Sequence, residues 1–115
     1  MEATMSQYFI SLPDPSKARG NDSDLSFHSQ SAAGFAEELQ DALRTTSLFD
    51  RWRAKQPDPD AVDAQWGVTD PAATVTGEQK DLRINLVATT TLNSDVFKER
   101  LRLLAGHHWE LRDVR

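Results

Sequence analysis

Apolar and polar residues alternate almost without fault between positions 82 and 92. Leu82, Ile84, Leu86, Ala88, Thr90 and Leu92 fall on one side of an extended chain, and Arg83, Asn85, Val87, Thr89 and Thr91 on the other, because successive strand side chains point to opposite faces. The pattern predicts a central antiparallel strand with one covered face and one mostly polar face. Weaker alternation predicts strands over residues 7–12, 25–29, 62–68 and 108–114, with a short extension at 74–76 before a turn at Gly77.

Two stretches carry the helical period instead. Behind a Ser31 N-cap, Phe35, Leu39, Ala42, Leu43 and Thr46 recur at three- and four-residue steps. Thr45-Thr46-Ser47 weakens that helix, since hydroxyl and β-branched residues favour helix ends. The spacing of Ser47 and Asp50 predicts a restart through Leu48, Phe49 and Trp52, stopped by Pro57-Asp58-Pro59-Asp60. The second helix opens on an Asn93 cap, with Leu92 and Phe97 placed as a hydrophobic staple. It continues through Leu101 and Leu104 and ends at Gly106.

From residue 25 onward the predicted order is β-α-β-β-α-β, that of the split βαβ, ferredoxin-like arrangement. The expected fold is α+β: a small antiparallel or mixed sheet of four or five strands with two main helices on one face. The strand at 7–12 is expected as an extra N-terminal element, at a sheet edge or beside 25–29. Phe35, Leu39, Trp66, Ile84, Leu86, Phe97, Leu101 and Trp109 are the expected core.

The 115 residues suit a single domain spanning 1–115, with 1–6 expected as a flexible N-terminus. A mean hydropathy of −0.58 predicts a thin core, which five Phe and three Trp compensate by their large buried area. With no cysteine, disulfides, thiolate nucleophiles, Cys–zinc sites and all-thiolate iron–sulfur clusters are excluded. Residues 1–7 carry no basic segment followed by an apolar run, and Arg83 and Asn85 break the longest apolar-rich stretch. A cytoplasmic protein with neither leader nor membrane span is therefore expected.

Net charge is −5, which works against the phosphate contacts that dominate duplex binding. The charges are uneven: residues 1–50 hold eight acids and three bases, whereas residues 96–115 hold three acids and five bases. The basic groups that could nonetheless meet nucleic acid are Arg51, Arg53 and Lys55 around Trp52, and Lys98, Arg100 and Arg102. The first set reads more simply as complementing a helix C-terminus, and the second as the solvated flank of an amphipathic helix.

His28, His107 and His108 show no metal-ligand spacing. Asp58, Asp60 and Asp63 lack the calcium-loop pattern and read as solvated turns. No G-x-S-x-G, S-x-x-K or phosphate loop occurs, so no catalytic, cofactor-binding or metal-binding residue is assigned. By elimination the sequence points to a non-enzymatic cytoplasmic interaction or regulatory module. It would meet a protein, itself or another, through the exposed sheet face Arg83, Asn85, Val87, Thr89 and Thr91, or through a sheet edge. Two other classes stay open at this level. One is a small ligand binder or enzyme with a cleft near Trp66, Trp109 and His28; the other is a nucleic-acid module using the two basic sets.

Overall fold

The computed structural model describes residues 5–115. Its main elements are β1 (Ser6–Leu12), α1 (Ala32–Arg44), α2 (Ser47–Ala54), β2 (Thr74–Lys80), β3 (Arg83–Thr90), α3 (Ser94–Ala105) and β4 (Glu110–Val114), with 3₁₀ turns at Pro15–Lys17, Pro59–Ala61 and Ala64–Gly67. The four strands form one antiparallel sheet in the order β2-β3-β1-β4. The class is α+β, and no described helix is long and apolar enough to cross a membrane.

α1 and α3 begin at side-chain caps, whereas α2 has none. The expected cap Ser47 is its first helical residue, Thr46 stands at the N-cap position, and the Thr46 hydroxyl donates to the Asp50 carboxylate instead of a backbone N–H being capped. Ser31 accepts from the Gly34 N–H, and Asn93 from the Val96 N–H. Gly106 closes α3 at φ 64°, a conformation glycine adopts without strain. The expected interruption at 45–47 separates α1 from α2.

Tyr8, Ile10, Leu12, Ile84, Leu86 and Ala88 project from the sheet into one cluster with Phe35, Leu39 and Leu43 of α1 and Phe97, Leu101 and Leu104 of α3. Tyr8 stacks on Phe97 with ring centroids 4.2 Å apart, and its hydroxyl donates to the Leu92 carbonyl at 3.0 Å. The chain measures 44 × 38 × 18 Å. The short dimension accommodates one sheet and one layer of helices.

Several expectations are corrected. Residues 7–12 do not form an extra strand: as β1 they occupy the sheet interior between β3 and β4, and the β-α-β-β-α-β order starts there. Residues 25–29 form no strand. Leu25 and Phe27 are buried, but the Phe27 N–H donates to the Leu104 carbonyl at the end of α3, and the His28 N–H to the Glu38 carboxylate. These backbone groups satisfy a helix end and a side chain rather than a ladder. Residues 62–68 contain a 3₁₀ turn, because Asp63 accepts from the Gln65 N–H and nucleates it locally. Trp66 is consequently exposed, and Trp109 is only half-buried; the other expected core residues are buried.

The turn expected at Gly77 lies at Asp81-Leu82, where Asp81 takes φ 57°, a conformation Asp tolerates better than most residues. Leu82 sits at its tip, 86% exposed, outside the buried set that begins at Ile84. Gly77 stays inside β2 because a Cβ there would lie 2.4 Å from the Ala32 carbonyl oxygen of α1. Ser6 belongs to β1 and Met5 is exposed; the rest of the expected flexible N-terminus, residues 1–4, lies outside the described residues.

Candidate functional site: the uncovered sheet face

Strand alternation that sends Tyr8, Ile10 and Leu12 into the core sends Gln7, Phe9 and Ser11 to the other face. The same parity on β3 brings Arg83, Asn85, Val87 and Thr89 there. In the ladder Phe9 is directly opposite Val87, and Ser11 opposite Asn85. Both Phe9 and Val87 are half-buried. On the outer side of β3, Thr76 pairs with Val87 and Glu78 with Asn85, so the apolar pair at the centre passes into hydroxyl, amide and charged groups.

β4 shapes the opposite rim. Its register slips between Phe9 and Ile10, which pair with Asp113 and Leu111 and leave Arg112 as the extra residue of a bulge. The Arg115 guanidinium lies 5.0 Å from the Phe9 ring centroid, within cation–π range. Its Nε donates to Asp113 at 2.7 Å, which holds the Asp113 carboxyl below its ordinary pKa, and Arg112 pairs with Glu110 at 2.9 Å. Phe9, Lys80, Arg83, Asn85, Val87 and Arg112 border a shallow basin of about 640 Å³. Ser11 is buried, and its hydroxyl has no hydrogen-bond partner among the described residues.

Four of the five surface residues expected from the sequence are thus brought together. Arg83 is exposed and Asn85, Val87 and Thr89 are half-buried. Thr91 lies beyond the end of β3, where its N–H donates to the Asp70 carboxylate at 2.8 Å. Phe9, Arg112 and Arg115 are additions. Phe9 was legible in principle, since it alternates with Tyr8 and Ile10; the bulge that turns Arg112 toward the basin leaves no local signal.

The basic set on α2 is committed to intramolecular partners. Lys55 donates to Asp22 at 2.8 Å and to Asp24 at 2.9 Å, raising its own pKa and lowering that of Asp22. Arg51 donates to the Asp24 carbonyl, and Arg53 to the Pro59 carbonyl, with Asp60 at 3.8 Å. Trp52 is half-buried against the core. On α3, Lys98 is exposed and Arg102 pairs with Glu99, but Arg100 is buried, which corrects its reading as part of a solvated flank. Of the six bases in the two sets, Arg100 is thus buried and Arg51, Arg53, Lys55 and Arg102 have carbonyl or carboxylate partners within the chain.

Trp66, Trp109 and His28 do not converge on one cleft. His28 borders a groove of about 490 Å³ between α1, the start of α2 and residues 24–28, floored by Leu25, Leu48 and Leu104. Trp66 lines a separate recess, and the Trp109 indole N–H donates to the Gly106 carbonyl at 2.9 Å. Asp58 and Asp60 are exposed, and Asp63 caps its own turn. No protein-family model matches the chain, and no curated protein or solved structure matches it either.

Proposed function

We propose that this chain is a non-enzymatic cytoplasmic protein–protein interaction domain that binds its partner through the uncovered sheet face. One observation carries the reading. Phe9 and Val87 lie directly opposite each other at the centre of a face whose reverse side holds the helices, and they are ringed by Thr, Asn and charged residues, of which Arg112 pairs with Glu110 and Arg115 with Asp113. An apolar centre inside a polar rim is the anatomy of a protein contact surface. The rim charges Arg112 and Arg115 already have carboxylate partners, so they define register on a protein surface better than they would serve a phosphate chain. The element order and the sheet order β2-β3-β1-β4 support a ferredoxin-like reading of the domain, with β1 as the first strand. The absence of cysteine agrees with a reducing compartment.

The test uses the cysteine-free chain as its own background. Val87→Cys and, as a control on α2, Asp50→Cys are each labelled with a thiol-directed photocrosslinker. Sedimentation of the wild type and of a Val87→Lys/Thr89→Glu variant is compared over a range of concentrations. Crosslinking of one defined protein or a second copy from Val87→Cys alone, with loss of that association in the charged variant, is the expected result. Equal crosslinking from both sites, or a monomer with no product at Val87→Cys, overturns the reading.

A further inference from the structure

The 3₁₀ turn Ala64–Gly67 and the residue after it are held from three directions. Beneath them, Arg100 of α3 is 2% exposed, and its guanidinium donates to the carbonyls of Trp66 at 2.8 Å, Val68 at 2.5 Å and Ala42 at 2.8 Å. Beside them, Gly67 presses on Phe49, where an added Cβ would come within 2.6 Å of the ring. At the start, Asp63 caps the turn. Burying a guanidinium is expensive, and here that cost fixes a segment whose two apolar side chains point out. Trp66 is 39% exposed and Val68 44%.

Beside Trp66 lies a recess of about 170 Å³ lined by Asp63, Gln65, Trp66, Asn93, Asp95 and Val96. Both ionisable residues in its lining are acids. The first turn of α3 also borders the recess, but Asn93 caps it and Asp95 supplies a negative charge at its dipole. An anion would meet two carboxylates there.

We infer that the Trp66 recess is a second binding site, which takes an arginine side chain of a partner protein. A planar guanidinium stacks on an indole face and donates in a fork to carboxylates, whereas an ammonium can do neither as well. A recess of about 170 Å³ is on the scale of a single side chain. Asp63 has spent one acceptor site on Gln65 and keeps others, as a carboxylate has about four. The net charge of −5 draws a basic partner toward the chain. Arg100 is a positioning residue in this scheme: it acts on the partner only by holding the carbonyls of Trp66 and Val68. The recess is independent of the sheet-face reading, since none of its lining residues belongs to the sheet.

The probe is a blocked tetra-arginine peptide, titrated into the isotopically labelled full chain at about 0.15 M salt, where long-range attraction is screened. The three indole N–H signals are assigned with Trp66→Phe, and tetralysine is run in parallel. A saturable shift of the Trp66 indole and of the Gln65 and Asp95 amides is expected. Binding should weaken about tenfold in Asp95→Asn, an exposed change on α3 that leaves the core untouched, and similarly in Trp66→Ala. Tetralysine should bind several-fold more weakly. Shifts centred instead on Asp22, Asp24 and Asp41, no loss in Asp95→Asn, or equal affinity for tetralysine would each overturn the assignment.

Discussion

Arg100 donates to the Ala42 carbonyl at 2.8 Å and so ties the middle of α3 to the last turn of α1. That carbonyl is one of the four that a helix end leaves without an internal partner. Trp66 and Val68 share the same guanidinium, which makes one buried side chain the junction of α1, α3 and the segment before β2. Burial depresses its pKa from the usual arginine value, and three carbonyl acceptors stand in for the lost water.

Arg100→Met should therefore destabilise the fold by at least about 3 kcal/mol. Each hydrogen bond to a charged group contributes about 1.5–3 kcal/mol, and its removal leaves a desolvated carbonyl behind. Arg100→Lys should recover only part of this, because an ammonium lacks the fork that spans three acceptors. Urea unfolding monitored by circular dichroism measures both. A loss below about 1 kcal/mol for Arg100→Met would show that the carbonyls find other partners.

The register of β3 makes opposite demands on two leucines. Leu86 is fully buried against the helices, and Leu82 is at the hairpin tip. Leu86→Ala should cost about 2–5 kcal/mol through lost burial and the cavity left, while Leu82→Ala should stay within about 0.5 kcal/mol. Comparable losses at the two sites would mean that the buried row begins at Leu82.

This contrast also marks where the sequence could be read. The buried row from Ile84 to Ala88, the caps at Ser31 and Asn93 and the break at 45–47 are local signals, and the chain follows them. Residues 25–27 and 62–68 carry a strand-like alternation too. For Phe27 the competitor is distant: its N–H is taken by the Leu104 carbonyl, which no window of ten residues contains. At 62–68 the turn is local, capped by Asp63 and closed by the Trp66 N–H on the Asp63 carbonyl, and the distant Arg100 then takes the Trp66 and Val68 carbonyls. Arg100 itself was within reach, since it stands three residues after Phe97 and four before Leu104, on the apolar stripe of α3. On the sheet face, the β3 half followed directly from parity. The side of Phe9 followed from its alternation with Tyr8 and Ile10 too, but its place opposite Val87 required knowing that β1 pairs with β3.

Gly77 offers a test in which the sign decides. Its φ is not in the left-handed region, so alanine is conformationally allowed, and in an open strand it would stabilise by about 0.4–1 kcal/mol through the unfolded state. The Ala32 carbonyl oxygen would stand 2.4 Å from the new methyl group, and it cannot rotate away as a side chain would. Gly77→Ala should therefore destabilise by about 1–3 kcal/mol, the usual range for overpacking. A rise in melting temperature would mean that α1 does not press on β2 at this point.

The last prediction concerns acid. Asp70 is buried, which pushes its carboxyl pKa up, but the Thr91 N–H at 2.8 Å, the Thr90 hydroxyl at 2.9 Å and the Ala72 N–H at 3.1 Å favour the charged form and together prevail. The folded pKa is thus below the ordinary aspartate value. A group of this kind contributes stability above its unfolded pKa, about 3.9, and loses it as pH falls through the folded value. The wild type should accordingly exceed Asp70→Asn in stability by a constant margin above about pH 5, and the margin should shrink as the carboxylate protonates below about pH 4. Asp14, Asp22 and Asp113 also have lowered pKa values, but both proteins carry them, so their effect cancels in the difference. Urea unfolding of the two proteins at a series of pH values measures the margin. Parallel stability curves down to acid would show that Asp70 gains nothing from its three donors on folding.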